Sequence, residues 1–411
     1  MVAVHTAAAL LAGIALAATL WNGFREPGNA LAFGALIAIG ETVRWGAAPG
    51  EREPAPLGAA GALAYALLGE CAGRMTSHGV LQVVAVVVAG ALTGAVPQLA
   101  HRPGPALDHV SRRVLSVTVA AVCFQPLYNS GGLGHWAHGA SYALLLLVLL
   151  LLTALCDALL AALMLRARTG FPYGPLLREE LRALLGIGSA VCASGAVIAL
   201  AVAVAGLWAL PVFCVPLLLT QLSFRRYEAV RITYRQTIAS LARATEIAGY
   251  TPPGHARRVA ALSCAVGREM GLSGSHLTVL EYAALMHDIG QLSLVDPVPD
   301  GATALLPTAR QRRIALLGGA VVRQTGVPAE VAVVVERQAD PYRDQPLPAR
   351  IVRAVNAYDD LTRGGAEGAH SPLGALERLR LGTGRDYHPE VVESLARVLG
   401  RGGGPVAAHP G

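Results

Sequence analysis

Tyr142-Ala-Leu-Leu-Leu-Leu-Val-Leu-Leu-Leu-Leu-Thr-Ala-Leu155 is an almost unbroken run of leucine and alanine. Crossing a bilayer takes about 20 mostly apolar residues. The run lies inside a longer apolar segment, 138–165, which meets that need. Working outward, seven more apolar segments fall at 2–21, 29–45, 57–73, 79–99, 112–130, 184–205 and 207–223. The second, third and last are short or carry charge. The first lacks the positive start of a signal peptide, and further membrane segments follow it, so it reads as a helix.

Composition agrees. Of 411 residues, 54% are hydrophobic and only 15% charged, whereas a soluble domain is about a quarter charged. The apolar excess stops near residue 222, and arginines and carboxylates become frequent beyond it. That shift divides the chain into a transmembrane region 1–223, a linker helix 224–249, a soluble domain 250–400 and a tail 401–411. All 33 basic residues are arginine and the net charge is +6, which reflects base composition and membrane-flanking arginines. The soluble half carries many acids too, so no nucleic-acid partner is expected. Cys71, Cys123, Cys156, Cys192, Cys214 and Cys264 form no C-x-x-C pair and read as small buried hydrophobes.

Loop charge orients the chain. With eight helices and the N-terminus inside, the inner loops hold Arg44, Arg52, Arg102, Arg112, Arg113, Arg166, Arg168, Arg178 and Arg182. The outer loops hold Arg25 and Arg74. This asymmetry satisfies the positive-inside rule and puts the C-terminal domain in the cytoplasm. The lipid bilayer is then the first partner. Glu41 and Arg44 are spaced to pair on one helix face, while Glu70, His78 and Asp157 have no evident local partner. Intramembrane ionisable groups serve either function or helix–helix hydrogen bonding.

Residues 223–249 are amphipathic, with Val230, Thr233, Thr237, Ile238, Leu241, Thr245 and Ala248 at helical spacing. Two readings stand: an ordinary first helix of the soluble domain, or a helix that pairs with a second copy into a homodimer. Next, Thr251-Pro-Pro-Gly-His255 opens a helix at His255. A second helix, 276–288, ends in His287-Asp288. Adjacent His and Asp at a helix end can both reach a metal, and a distant His can join them.

The ordered set Gly254-His255-x-x-Arg258-Val259, Met270-Gly-Leu-Ser273 and Ala283-Ala-Leu-Met-His287-Asp288-Ile-Gly290 resembles the HD superfamily of metal-dependent phosphohydrolases, and within it the HD-GYP branch. The likeness covers about 235–400. It continues through Pro348-Ala-Arg350-Ile-Val-Arg-Ala-Val-Asn356-Ala-Tyr358-Asp359-Asp-Leu361-Thr362, which is similar to that branch's P-x-A-R-I-x-x-V-A-D-x-Y-D-A-L-T. It ends on Tyr387-His388-Pro389-Glu390-Val391-Val392, similar to F-D-P-E-x-V. The resemblance implies an all-helical domain, so the whole chain is expected to be all-α: a transmembrane bundle followed by an HD-type domain. It also implies a divalent metal held by His255, His287, Asp288 and, at the position of the family's final aspartate, Asn356.

The departures bear on function. Asn356 offers an amide oxygen without charge. Asp359 matches an aspartate the family segment already has and is not its replacement. The branch's lysine after HDIG is Gln291, its paired histidines fall on Glu336-Arg337-Gln338, and its GYP loop is shortened to 340–346. A second or third metal and the branch's usual hydrolysis of cyclic di-GMP are therefore not expected. Three functions remain in view. The first is a single-metal phosphohydrolase acting on a nucleotide or other phosphate ester, with Asp288 also orienting the attacking water. The second is a degenerate domain that signals by binding a ligand or partner. The third is a transporter with a regulatory HD domain. The Gly-, Pro- and Ala-rich segments 295–309 and 363–373 and the tail from Arg401 are expected to be poorly ordered.

Overall fold

The computed structural model describes residues 1–42, 56–101, 103–132, 139–298, 301–363 and 371–401. Arg44, Arg52, Arg102, most of the 363–373 segment and the tail after Arg401 lie outside the described residues. The chain is all-α apart from one two-stranded hairpin among those residues. It divides into two compact units, Met1–Val230 and Arg231–Gly411. The dividing point falls within one continuous helix, Ala209–Ile247, so the last expected span and the linker are one element.

In the first unit, three stretches are long and apolar enough to cross a membrane: Val2–Asn22, Gly139–Thr169 and Ser189–Ile247. They contain the first, sixth, seventh and eighth expected spans. Only 17–33% of each apolar window is buried within the protein. Leu144, Leu147, Val148 and Leu151 point outward from Gly139–Thr169, and Trp21 and Trp208 stand exposed at helix ends. A soluble surface does not carry that much contiguous apolar area. The apolar surface is consistent with membrane association, and the two indoles suit a membrane interface.

Of the other expected spans, one is overturned. Pro27–Thr42 ends at the limit of the described residues, and Val80–His101 has 22 residues. The latter rises about 33 Å, enough for a hydrocarbon core of about 30 Å. Pro103–Asn129 is long but takes in Asp108, Arg112 and Arg113. The segment 57–73 is not a span. Its helix, Pro56–Ala66, stops after 11 residues, and the chain reverses in a hairpin pairing Glu70 with Met75 and Cys71 with Arg74. Ala72 and Gly73, at φ 51° and 72°, form the two-residue turn. Two consecutive left-handed residues make the turn whose twist matches a hairpin.

Several polar groups of this unit have partners. Glu41 is buried against His109 Nε2 at 3.0 Å and Arg113 Nη2 at 3.3 Å. Asp157 accepts from Ser116 Oγ at 2.8 Å and pairs with Arg112 Nε at 3.2 Å. His78 stacks on Tyr65 with ring centroids 4.7 Å apart and lies 3.4 Å from Glu26. Tyr128 donates to Glu70 across 3.3 Å. Such pairing fits helix–helix hydrogen bonding.

The second unit packs the end of Ala209–Ile247 and the helices His255–Glu269, Gly274–Met286, Thr308–Arg323, Ala329–Arg337, Leu347–Arg363, Pro372–Leu381 and Pro389–Arg401 around one core. Val259, Leu280, Met286, Ile289, Val352 and Leu395 are among its fully buried side chains. The amphipathic stripe of 223–249 splits. Ile238 joins this core, with Leu241 packed against it and Thr245 buried, whereas Val230 and Thr237 are exposed. Its lower part is thus an ordinary first helix of the unit.

Candidate metal centre

Three elements deliver the site. Gly254, at φ 74°, turns the chain so that the next helix begins on His255. The helix Gly274–Met286 ends immediately before His287, and a short 3-10 turn, Ile289–Ser293, follows Asp288. Gly290 lets that turn lie flat against the helix Thr308–Arg323. A Cβ on it would sit 2.0 Å from the Ile314 carbonyl oxygen and 2.6 Å from the Gly318 nitrogen. The helix Leu347–Arg363 brings Asn356, Asp359 and Asp360 from one side.

His255, His287 and Asp288 converge, and all three are buried. His255 Nε2 is 3.3 Å from His287 Nε2 and 3.5 Å from Asp288 Oδ2, and His287 Nε2 is 3.4 Å from the same oxygen. The other ring nitrogens fix the tautomers. His255 Nδ1 donates to Asp359 Oδ2 at 2.8 Å, and His287 Nδ1 donates to the Ala284 carbonyl at 2.8 Å. Both Nε2 atoms therefore turn their lone pairs inward, beside a carboxylate oxygen that makes no hydrogen bond. Three converging acceptors repel one another unless a proton or a cation lies between them.

The electrostatics follow. Burial pulls the His255 proton affinity down, but hydrogen bonds to Asp288 and Asp359 and the charges of Asp288 and Asp360 outweigh it and raise its pKa to about 10. His287 is pushed below its ordinary value, first by burial and also by the charge on His255. Burial opposes ionisation of Asp288, yet the two histidines and Thr303 hold its pKa below the ordinary carboxylate value. One proton on His255 thus does what a cation would do. A metal with ligand bonds of about 2.1 Å in tetrahedral array spaces its ligand atoms about 3.4 Å apart. The three observed separations fit a divalent cation without rearrangement.

Asn356 lies beside the triad. Its Nδ2 donates to Thr303 Oγ1 at 3.1 Å, and Thr303 in turn donates to Asp288 Oδ1 at 3.1 Å. Its Oδ1 is buried without a hydrogen-bond partner. Thr303 belongs to the segment 295–309, which the sequence reading leaves poorly ordered. Instead its described part packs: Thr303–Leu305 forms a 3-10 turn, and the Ala304 amide donates to Asp360 Oδ2 at 3.0 Å. Local polarity and glycine content miss this because Asn356 and Asp360, two of its anchors, lie more than 50 residues away.

Two further residues escape a reading by motif. Arg258 grips Asp359 with both Nε and Nη2, at 2.9 and 2.8 Å, which holds the carboxylate that orients His255. Asp360 is buried, and burial together with Asp288 and Asp359 pushes its pKa up to about 7. It stands where the family segment quoted above has alanine, which is the signal that could have found it. Gln291 is buried with its amide turned to the Gly301 carbonyl at 3.5 Å, and Gln338 donates to the His287 carbonyl at 2.8 Å. A pocket beside the triad is lined by Asp288, Thr303, Gln338, Arg353, Asn356 and Tyr387. Arg353 Nη1 is held there by the Gln338 and Asp340 carbonyls.

No protein-family model matches the chain, and no solved structure does either. Among curated proteins, it is similar to a cyclic di-GMP phosphodiesterase of Thermotoga maritima, 25% identical over 160 residues. The match takes in 35% of this chain, which spans under half, 44%, of that relative's length. Together with the His–His–Asp cluster, the similarity points to an HD-type phosphohydrolase.

Proposed function

We propose that this chain is a multi-pass membrane protein whose cytoplasmic unit is an HD-type phosphohydrolase, holding one divalent cation and acting on a nucleotide or other phosphate ester. The observation that carries the reading is the inward convergence of His255 Nε2, His287 Nε2 and Asp288 Oδ2, three acceptors at metal-ligand spacing. Asn356 Oδ1 would be a weak fourth ligand. Such a cation, when bound, supplies an acidified water and charge neutralisation at phosphorus. The remaining work belongs to the chain. Asp359 and Arg258 orient His255, Thr303 holds one oxygen of Asp288, and Asp288 orients the attacking water. Arg353 supplies positive charge for a phosphate in the adjoining pocket.

Membrane anchoring rests on the three long apolar stretches, and the cytoplasmic placement on Arg166, Arg168, Arg178, Arg182, Arg225 and Arg226, which flank the last spans on one side. The exposed Tyr227, Val230 and Thr237 offer a face for pairing with a second copy, which cysteine cross-linking along 225–245 would test.

A second reading, binding without turnover, is favoured by one observation. Gln291 is uncharged, buried and turned to a backbone carbonyl, so it cannot hold a phosphate. Metal content and phosphodiesterase activity of the purified full chain separate the two. About one Mn2+ per chain with hydrolysis of bis-p-nitrophenyl phosphate, both lost in His287→Ala, supports the enzyme. Metal without turnover of this ester or of cyclic di-GMP supports the binding module. No metal uptake refutes the centre.

A further inference from the structure

Helix Leu347–Arg363 carries Asn356 where the family's last metal-binding carboxylate stands, and Asp360 follows one turn later. Residues four apart share a helix face. These two also share a partner segment, since Asn356 donates to Thr303 and Asp360 accepts from the next residue, Ala304. The charges around the triad can be assigned. Asp359 is matched by Arg258, and the two histidines are neutral when they offer lone pairs. Asp288 gives one negative charge. Asp360 forms no ion pair among the described residues and is the other carboxylate at the site. Two negative charges neutralise a divalent cation.

We propose, on the strength of the metal reading above, that Asp360 supplies the negative charge that Asn356 lacks and so retains a divalent cation in this centre. It acts from outside the group of atoms that converge, which does not include it. Its influence is therefore through charge and through hydrogen bonding to water held by the cation, and Asp360 is a positioning residue rather than a ligand. Relocation by one helical turn keeps the carboxylate in the site while freeing position 356.

The test is a charge relocation, read as Mn2+ affinity of the full chain in detergent by calorimetry. Asp360→Asn, which keeps an acceptor for the Ala304 amide, is expected to bind Mn2+ at least tenfold more weakly. Asp360→Glu should stay within about threefold of wild type. Adding Asn356→Asp to Asp360→Asn should restore the affinity, and in the Asn356→Asp background Asp360→Asn should cost less than threefold. That background also decides the matter if Asp360→Asn alone fails to fold. A purely structural role for Asp360 would cost the same in both backgrounds, and that result overturns the proposal. So does wild-type affinity in Asp360→Asn. Mn2+ uptake by Asn356→Asp but not by wild type would show that Asp360 does not make good the lost charge, leaving the triad as a metal centre. No uptake by either would overturn the centre itself.

Discussion

Replacing Gly290 with alanine probes how the fold aims the His287–Asp288 pair. The new methyl carbon would lie 2.0 Å from the Ile314 carbonyl oxygen and 2.6 Å from the Gly318 nitrogen. Both are backbone atoms of one helix, so no side chain can swing aside. Ordinary contact begins near 3.4 Å. The turn Ile289–Ser293 and the helix Thr308–Arg323 must then separate by about 1.4 Å in a tightly packed core. Overpacking of this kind costs about 1–3 kcal/mol. For a unit of this size that lowers the melting temperature by about 2–12 °C. The functional cost is larger, because a metal centre tolerates ligand displacements of only about 0.2 Å. Differential scanning calorimetry and Mn2+ titration of Gly290→Ala should show both losses. Gly400→Ala, whose added carbon meets nothing within 4 Å, should show neither. Unchanged melting and unchanged Mn2+ affinity in Gly290→Ala would refute the close-approach argument.

Asp359→Asn removes the charge that binds Arg258 and orients His255, so Mn2+ affinity should fall about 10- to 100-fold; calorimetry within twofold of wild type would count against it. Glu269 is pulled up by burial but held below its ordinary pKa of 4.5 by Arg401 and Arg397. Its folded pKa is depressed, so its stabilising contribution is full above pH 4.5 and is lost as pH falls through the folded value. The melting-temperature gap between wild type and Glu269→Gln should be present at pH 7 and shrink below pH 4.5, and a gap that widens on acidification would contradict this. For the membrane unit, a cysteine at Met75 should react with an impermeant maleimide on intact cells, and one at Arg178 only after permeabilisation. The reverse pattern would invert the orientation.

The two histidines and Asp288 were legible because their spacing and neighbours are local: a glycine before His255, and a helix ending at His287-Asp288. Asp360 was readable too, as a departure from the quoted family segment, but its weight depends on what surrounds it. Thr303 was not legible. Its segment has the composition of a loose loop, and Asn356 and Asp360, far off in sequence, help to order it. The eight-span reading shows the opposite limit. Apolar content marks 57–73 for burial, yet Pro56–Ala66 ends early because the Ala72-Gly73 turn folds the chain back.

Hydropathy and local motif by themselves determined that this chain is all-α, that its N-terminal half is apolar enough for a membrane, and that His255, His287 and Asp288 are the residues to watch. These are short-range properties, carried by composition and by spacings within one or two turns. Tertiary structure decided that the apolar segment 57–73 turns back in a hairpin, and that the loop 301–306 belongs to the site. It also decided where the charges balance. Ion pairs such as Arg258–Asp359 join residues 101 apart in sequence, and no local pattern encodes such a pairing.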